Sequence, residues 1–117
     1  MTDWTDWNAR REHLGKAIGD YAKVSPDTVS SVLALNGAGE KTNHLDAKTR
    51  ELIALAVAAT TRCDGCITIH AAEAAKAGAT RDEIGEALSV AIALNAGAAL
   101  VYSTRILDAF DAVKKES

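Results

Sequence analysis

The chain is short of aromatic side chains, proline, cysteine and basic charge, and each shortage removes a class of protein. Aromatics make up 4% of the 117 residues, and proline occurs once, at Pro26. Thirteen basic against 16 acidic side chains leave a formal charge of -3. No broad positive field is available for a phosphate backbone, and Lys114-Lys115 is too short to act as an arm, so nucleic acid is not an expected partner. No uninterrupted apolar run approaches the roughly 18 residues of a membrane span. The opening Met1-Thr2-Asp3-Trp4 carries neither the basic region nor the apolar stretch of a secretory signal. These features point to a cytoplasmic protein with no membrane partner. Gly37, Gly39, Gly78 and Gly97 read as helix punctuation without the lysine of a phosphate cradle. With no flavin, haem or nicotinamide motif, no organic cofactor is expected. Two cysteines in a reducing compartment are too few for a structural disulfide framework, so their spacing is the feature to examine.

Alanine fills much of what remains, at 24 positions. It favours helices and close packing but buries little area per residue. A single 117-residue domain of this kind has a modest hydrophobic term to set against its ordering entropy, which predicts self-association.

The periodicity predicts an all-α fold of about six helices. A first helix runs from Trp7 to about Ala22, with Leu14, Ala17, Ile18 and Tyr21 on one face. Ser25-Pro26-Asp27 supplies a cap candidate for a second, which Gly37-Ala38-Gly39 should end. Asp46 caps a third, from Ala47 to about Thr61, apolar around much of its circumference and therefore central. The fourth starts near Cys63 and runs through His70 to Ala77, where Gly78 provides a left-handed stop. Thr80-Arg81-Asp82-Glu83 forms a capping box for the fifth. Asn95-Ala96-Gly97 suggests an interruption before a sixth, from about Ala98 to Val113. Residues 1–117 read as one domain with its core at about 25–113. Trp4, Trp7, Tyr21, Tyr102 and Phe110 read as packing or interface residues.

Chemistry concentrates at Arg62-Cys63-Asp64-Gly65-Cys66-Ile67-Thr68-Ile69-His70. Four residues on a helix return to the same face, so His70 lies beside Cys66 and can take its proton. Cys66 is the candidate nucleophile. Cys63, at the helix mouth with Arg62 beside it, is favoured as a thiolate although Asp64 opposes this, and it is the resolving and exchange partner. If the third and fourth helices form an antiparallel hairpin, Glu51 lies about 16 Å down one and His70 about 12 Å down the other from residue 62, less than one turn apart. A carboxylate there would fix the imidazole tautomer, giving a Cys66–His70–Glu51 relay closed by Cys63.

Other readings compete. Two buried small hydrophobes can fall three apart, a lone helix histidine is often a packed residue, and a lone glutamate is often solvated. A zinc site needs a fourth ligand beyond Cys63, Cys66 and His70, which only His13 or His44 could supply without a local spacing signal. No metal is therefore expected.

The stretches Leu45-Asp46-Ala47-Lys48-Thr49-Arg50-Glu51-Leu52-Ile53-Ala54-Leu55-Ala56-Val57-Ala58, Cys63 to His70 and Ala77 to Ile84 resemble the carboxymuconolactone decarboxylase and alkylhydroperoxidase-D-like family, in its redox-active CxxC branch. The resemblance implies a helical fold assembling as a homo-oligomer: a trimer or hexamer, with a dimer as the alternative. It also implies a thiol-dependent hydroperoxide reductase. In this role Cys66 attacks the peroxide, Cys63 resolves the sulfenic acid, and Glu51 and His70 relay protons. A protein or lipoyl-type dithiol would restore the pair. The family's second histidine, immediately before the reactive cysteine, is replaced here by Gly65, which implies weaker peroxide turnover or another substrate. Disulfide exchange without peroxide chemistry, a redox-sensing helical scaffold and, less favoured, lactone decarboxylation are the alternatives.

Overall fold

A computed structural model describes residues 5–116. Within them lie five helices and no strand: α1 (Trp7–Val24), α2 (Pro26–Thr42), α3 (Ala47–Thr61), α4 (Asp64–Lys76) and α5 (Arg81–Glu116). Trp4 lies outside the described residues.

The caps follow the sequence closely. The Asp46 carboxylate accepts from the Thr49 N–H at 2.8 Å to open α3. The Glu83 N–H donates to Thr80 Oγ1 at 3.1 Å while the Thr80 N–H donates to Glu83 Oε1 at 2.9 Å, completing the expected capping box of α5. Gly78 takes the left-handed conformation that separates α4 from it, with φ 85°. Ser25 occupies the N-cap of α2 with Pro26 at the first helical position, but its hydroxyl donates to Thr28 Oγ1 at 2.7 Å and leaves the backbone uncapped by a side chain.

Three expectations need correction. α2 does not stop at Gly37-Ala38-Gly39; it continues to Thr42, where Asn43 turns left-handed at φ 51°. Asparagine tolerates that region, so the stop moved to the next residue able to adopt it. The fifth and sixth helices are one, 36 residues long and continuous through Asn95-Ala96-Gly97. Asn95 Nδ2 donates to the Ala91 carbonyl at 2.7 Å, so the side chain is satisfied inside the helix and does not open a turn. Thirdly, α5 contains an 18-residue stretch of mean hydropathy 1.7, long and apolar enough to cross a membrane by length and composition, with none of it buried. Counting uninterrupted runs misses this stretch because Ser89, Asn95 and Gly97 break it.

α3 is central, packing against both α4 and α5, while α1 packs on α4 and α2. Only Leu55, Ala58, Ala74 and the polar Thr68 are buried among the described residues. Small side chains at the α3–α4 contact let the two backbones approach closely. Elsewhere the chain is open. Its radius of gyration is 19.4 Å, against about 13 Å for a compact domain of this length. Its accessible surface of 9212 Å² compares with about 6,100 Å² for a compact protein of 12.3 kDa. Leu100, Val101, Tyr102, Ile106, Leu107, Phe110 and Val113 of α5 are all more than half exposed, so Tyr102 and Phe110 are not core residues in the isolated chain.

Lys48 at the start of α3 meets Glu83 at the start of α5, Nζ to Oε2, at 2.7 Å. The hydrogen bond from Lys48, with that from the Thr80 N–H, holds the Glu83 carboxyl below its ordinary 4.5. The same contact raises Lys48 above 10.5. A depressed carboxyl contributes stability above its unfolded value that is lost as pH falls through the folded one. Melting temperature should therefore decline on acidification below about pH 4.5. Glu83→Gln should flatten that part of the curve, so that variant and wild type converge at low pH in circular-dichroism melts.

Candidate active site

The site is built where α3 turns into α4. Arg62 caps α3 in the left-handed conformation at φ 55°, reversing the chain within one residue of Cys63. Cys63 is itself the N-cap of α4, its Sγ accepting the Cys66 N–H at 3.1 Å. A sulfur in that position receives one of the donors that a helix start leaves without an intrahelical partner, an arrangement that favours a thiolate in the reduced protein. Cys63 and Cys66 form a disulfide, with Cα atoms 5.2 Å apart.

His70 lies one turn beyond Cys66. Its Nδ1 contacts Glu51 Oε2 at 2.7 Å across the α3–α4 hairpin. The two side chains are 26% and 19% exposed, partly shielded from water yet still reached by it. The hairpin arithmetic is thus realised, because Ala58 and Ala74 are fully packed and bring the helices together. With Nδ1–H donating to the carboxylate, Nε2 becomes the basic nitrogen. Cys66, in the disulfide, carries no proton for it to receive. Among the described residues no group of three or more His, Cys, Asp and Glu side chains is arranged to hold a metal ion. His44 lies between α2 and α3, and His13, on α1, lines a cleft with Asp64 and Gly65.

One part of the site had no signal in the sequence. α1 holds both residues between the cysteines. Arg10 Nη1 donates to Asp64 Oδ2 at 3.1 Å, and Leu14 covers Gly65, where an added Cβ would come 3.0 Å from Leu14 Cδ2. One turn on, the buried Thr68 hydroxyl donates to the Trp7 carbonyl at 2.9 Å. Arg10 also lies over the Trp7 ring, 4.9 Å from its centroid, making Trp7 a packing residue as expected. These partners are separated by more than fifty residues and carry no motif. Any side chain at position 65 would require Leu14 to give way. A cleft of about 380 Å³ runs alongside, lined by Arg10, His13, Leu14, Asp64, Gly65 and Thr68. At 100° per residue, Asp64 and Thr68 fall on the side of α4 away from Cys66 and His70, so this cleft does not contain the sulfurs.

Three comparisons bear on this geometry. The model of the carboxymuconolactone decarboxylase family matches residues 26–109. An uncharacterized protein of Haemophilus influenzae is 52% identical over 111 residues, covering 95% of this chain and 98% of its own. An uncharacterized protein of the cox locus of Paracoccus denitrificans is 35% identical over 97 residues, covering 83% and 87%. Among solved structures, the apo form of a carboxymuconolactone decarboxylase family protein from Legionella pneumophila superposes with a TM-score of 0.70 at 32% identity, over 90% of this chain and 94% of that one. The helical hairpin that joins Glu51 to His70 and the cysteine turn at its tip lie inside the matched span, and the likeness in sequence and in fold extends well beyond them. The chain belongs to the carboxymuconolactone decarboxylase family.

Proposed function

We propose that the protein is a thiol-dependent hydroperoxide reductase that cycles Cys63 and Cys66 between dithiol and disulfide. The observation that carries the reading is the Glu51–His70 contact at 2.7 Å, one helical turn beyond a cysteine pair that is already close enough to be bonded. His70 Nε2 takes the Cys66 thiol proton. The thiolate attacks the distal peroxide oxygen, the O–O bond breaks, and the proton passes to the departing alkoxide to give an alcohol and Cys66 sulfenic acid. Cys63, held as a thiolate by its capping position, attacks that sulfur, releasing hydroxide that is protonated to water. An external dithiol then exchanges with the disulfide and leaves oxidised. In this exchange Cys63 is the favoured leaving thiolate.

A second reading, disulfide exchange with a partner protein and no peroxide step, is favoured by the Cys63 cap alone, since a stabilised leaving thiolate serves either substrate.

The reading includes a homo-oligomer in the cytoplasm, with trimer or hexamer as the expected states. About 3,000 Å² of surface in excess of a compact chain is more than one standard interface buries per partner, and exposed apolar residues along α5 supply it. Copies of the chain, not lipid, are the proposed cover.

Trapping distinguishes the roles. After one equivalent of hydroperoxide, Cys63→Ser should carry a dimedone-reactive sulfenic acid on Cys66, while Cys66→Ser should carry little on Cys63. Label confined to residue 63 of the second variant would invert the assignment.

A further inference from the structure

Asp64 directly follows Cys63, on the first turn of α4, where a carboxylate raises the cost of forming a thiolate on that neighbouring sulfur. Its carboxylate is 70% exposed, yet it is not left alone: Arg10, anchored over the Trp7 ring and only 30% exposed, places a guanidinium nitrogen 3.1 Å away. Arg10 arrives from a helix fixed to α4 by two further contacts, Leu14 over Gly65 and the Trp7 carbonyl on the Thr68 hydroxyl. The cation is therefore delivered by a docked element and not by a freely moving surface chain.

We propose that Arg10 is a positioning residue for the thiol chemistry: docked on the redox turn, it cancels the Asp64 charge and so preserves the thiolate that the helix start favours at Cys63. The inference rests on Cys63 and Cys66 being a redox pair, and not on peroxide being the substrate. Of the other charged or titratable groups, Arg62 precedes Cys63 on the turn and His13 of α1 lines the cleft beside Asp64, while Glu51 and His70 pair with each other farther along the hairpin. All stay constant across the variants that test the idea.

Arg10→Gln and Asp64→Asn both break the same ion pair. If the pair only pins α1, the two substitutions act alike. If Arg10 acts on the thiols through the Asp64 charge, they act in opposite directions. A unit charge on the residue next to a sulfur, in largely solvated surroundings, changes the thiolate fraction by roughly threefold. The measurement is the iodoacetamide alkylation rate of Cys63 in the reduced full-length chain from pH 5 to 10, resolved by peptide mass.

Arg10→Gln should slow alkylation roughly threefold below the thiol pKa and move the profile to higher pH, while Asp64→Asn should speed it by a similar factor and move the profile lower. The double variant should return close to wild type, and melting temperatures should change alike for the two single variants. Shifts in the same direction, or profiles that superpose, would overturn the proposal. Peroxide turnover does not enter the readout. A chain inert to peroxide but with opposed alkylation shifts would keep this inference and lose the peroxidase reading, and the reverse result would do the opposite.

Discussion

Replacing His70 with glutamine is expected to slow oxidation of Cys66 by hydroperoxide by about 10²–10³-fold, within the range general acid–base groups contribute. Glutamine keeps the bulk and a hydrogen-bonding amide near Glu51 but cannot take a proton from the thiol. Glu51→Gln should cost less, about tenfold, because its amide oxygen still accepts from Nδ1–H and retains the tautomer while no longer stabilising an imidazolium. The order of effects is the informative part. A relay requires the imidazole loss to exceed the carboxylate loss, and requires the Glu51 variant to move the pH–rate profile as well as its height. Stopped-flow thiol oxidation across pH 5–9 measures both. Diamide oxidation can start at Cys63, whose thiolate is favoured by the helix start and not by the relay, so it should slow far less than peroxide oxidation in both variants. Equal losses in peroxide and diamide would mean that the substitutions had simply disturbed the hairpin.

The second large effect is expected on assembly. Ile106 and Phe110 stand one turn apart on α5, 67% and 57% exposed, with Leu107 and Val113 beside them. Introducing Ile106→Glu and Phe110→Glu together places two carboxylates on the face that copies of the chain are proposed to share. Light scattering should report the wild type as a multiple of 12.3 kDa and the double variant as single chains. The variant should also melt well below wild type, because the core left to an isolated chain is Leu55, Ala58 and Ala74 with Thr68. A wild-type chain that remains a monomer at micromolar concentration would remove this part of the account.

What the sequence reveals and what it hides divide by the range of the interactions. Caps and turns depend on a few adjacent residues, so Asp46, Gly78 and the Thr80–Glu83 box are readable directly. The Glu51–His70 meeting is long-range, yet a short turn at Arg62 and a fixed rise per residue convert it into simple arithmetic. α5 defeats the same local reasoning: Asn95 and Gly97 signal a break by their preferences, but an asparagine that donates to the carbonyl four residues back fits within a helix, and apolar neighbours on both sides continue it. The clamp of α1 on the cysteine turn is hidden for a different reason. Arg10 and Asp64 are 54 positions apart, and nothing in either one's neighbourhood selects the other. The small core was foreshadowed by the alanine content, but the extent of exposed surface on α5 requires knowing that the main packing partner of α5 is α3.

The central claim is that Cys63 and Cys66 form one dithiol that peroxide oxidises under the control of Glu51 and His70. Its most direct measurement is a thiol count on the reduced chain after one equivalent of an organic hydroperoxide, with peptide mass analysis. The account predicts loss of two thiols per chain and a single intramolecular Cys63–Cys66 disulfide. Thiols that persist unchanged, with the peroxide unconsumed, would contradict it.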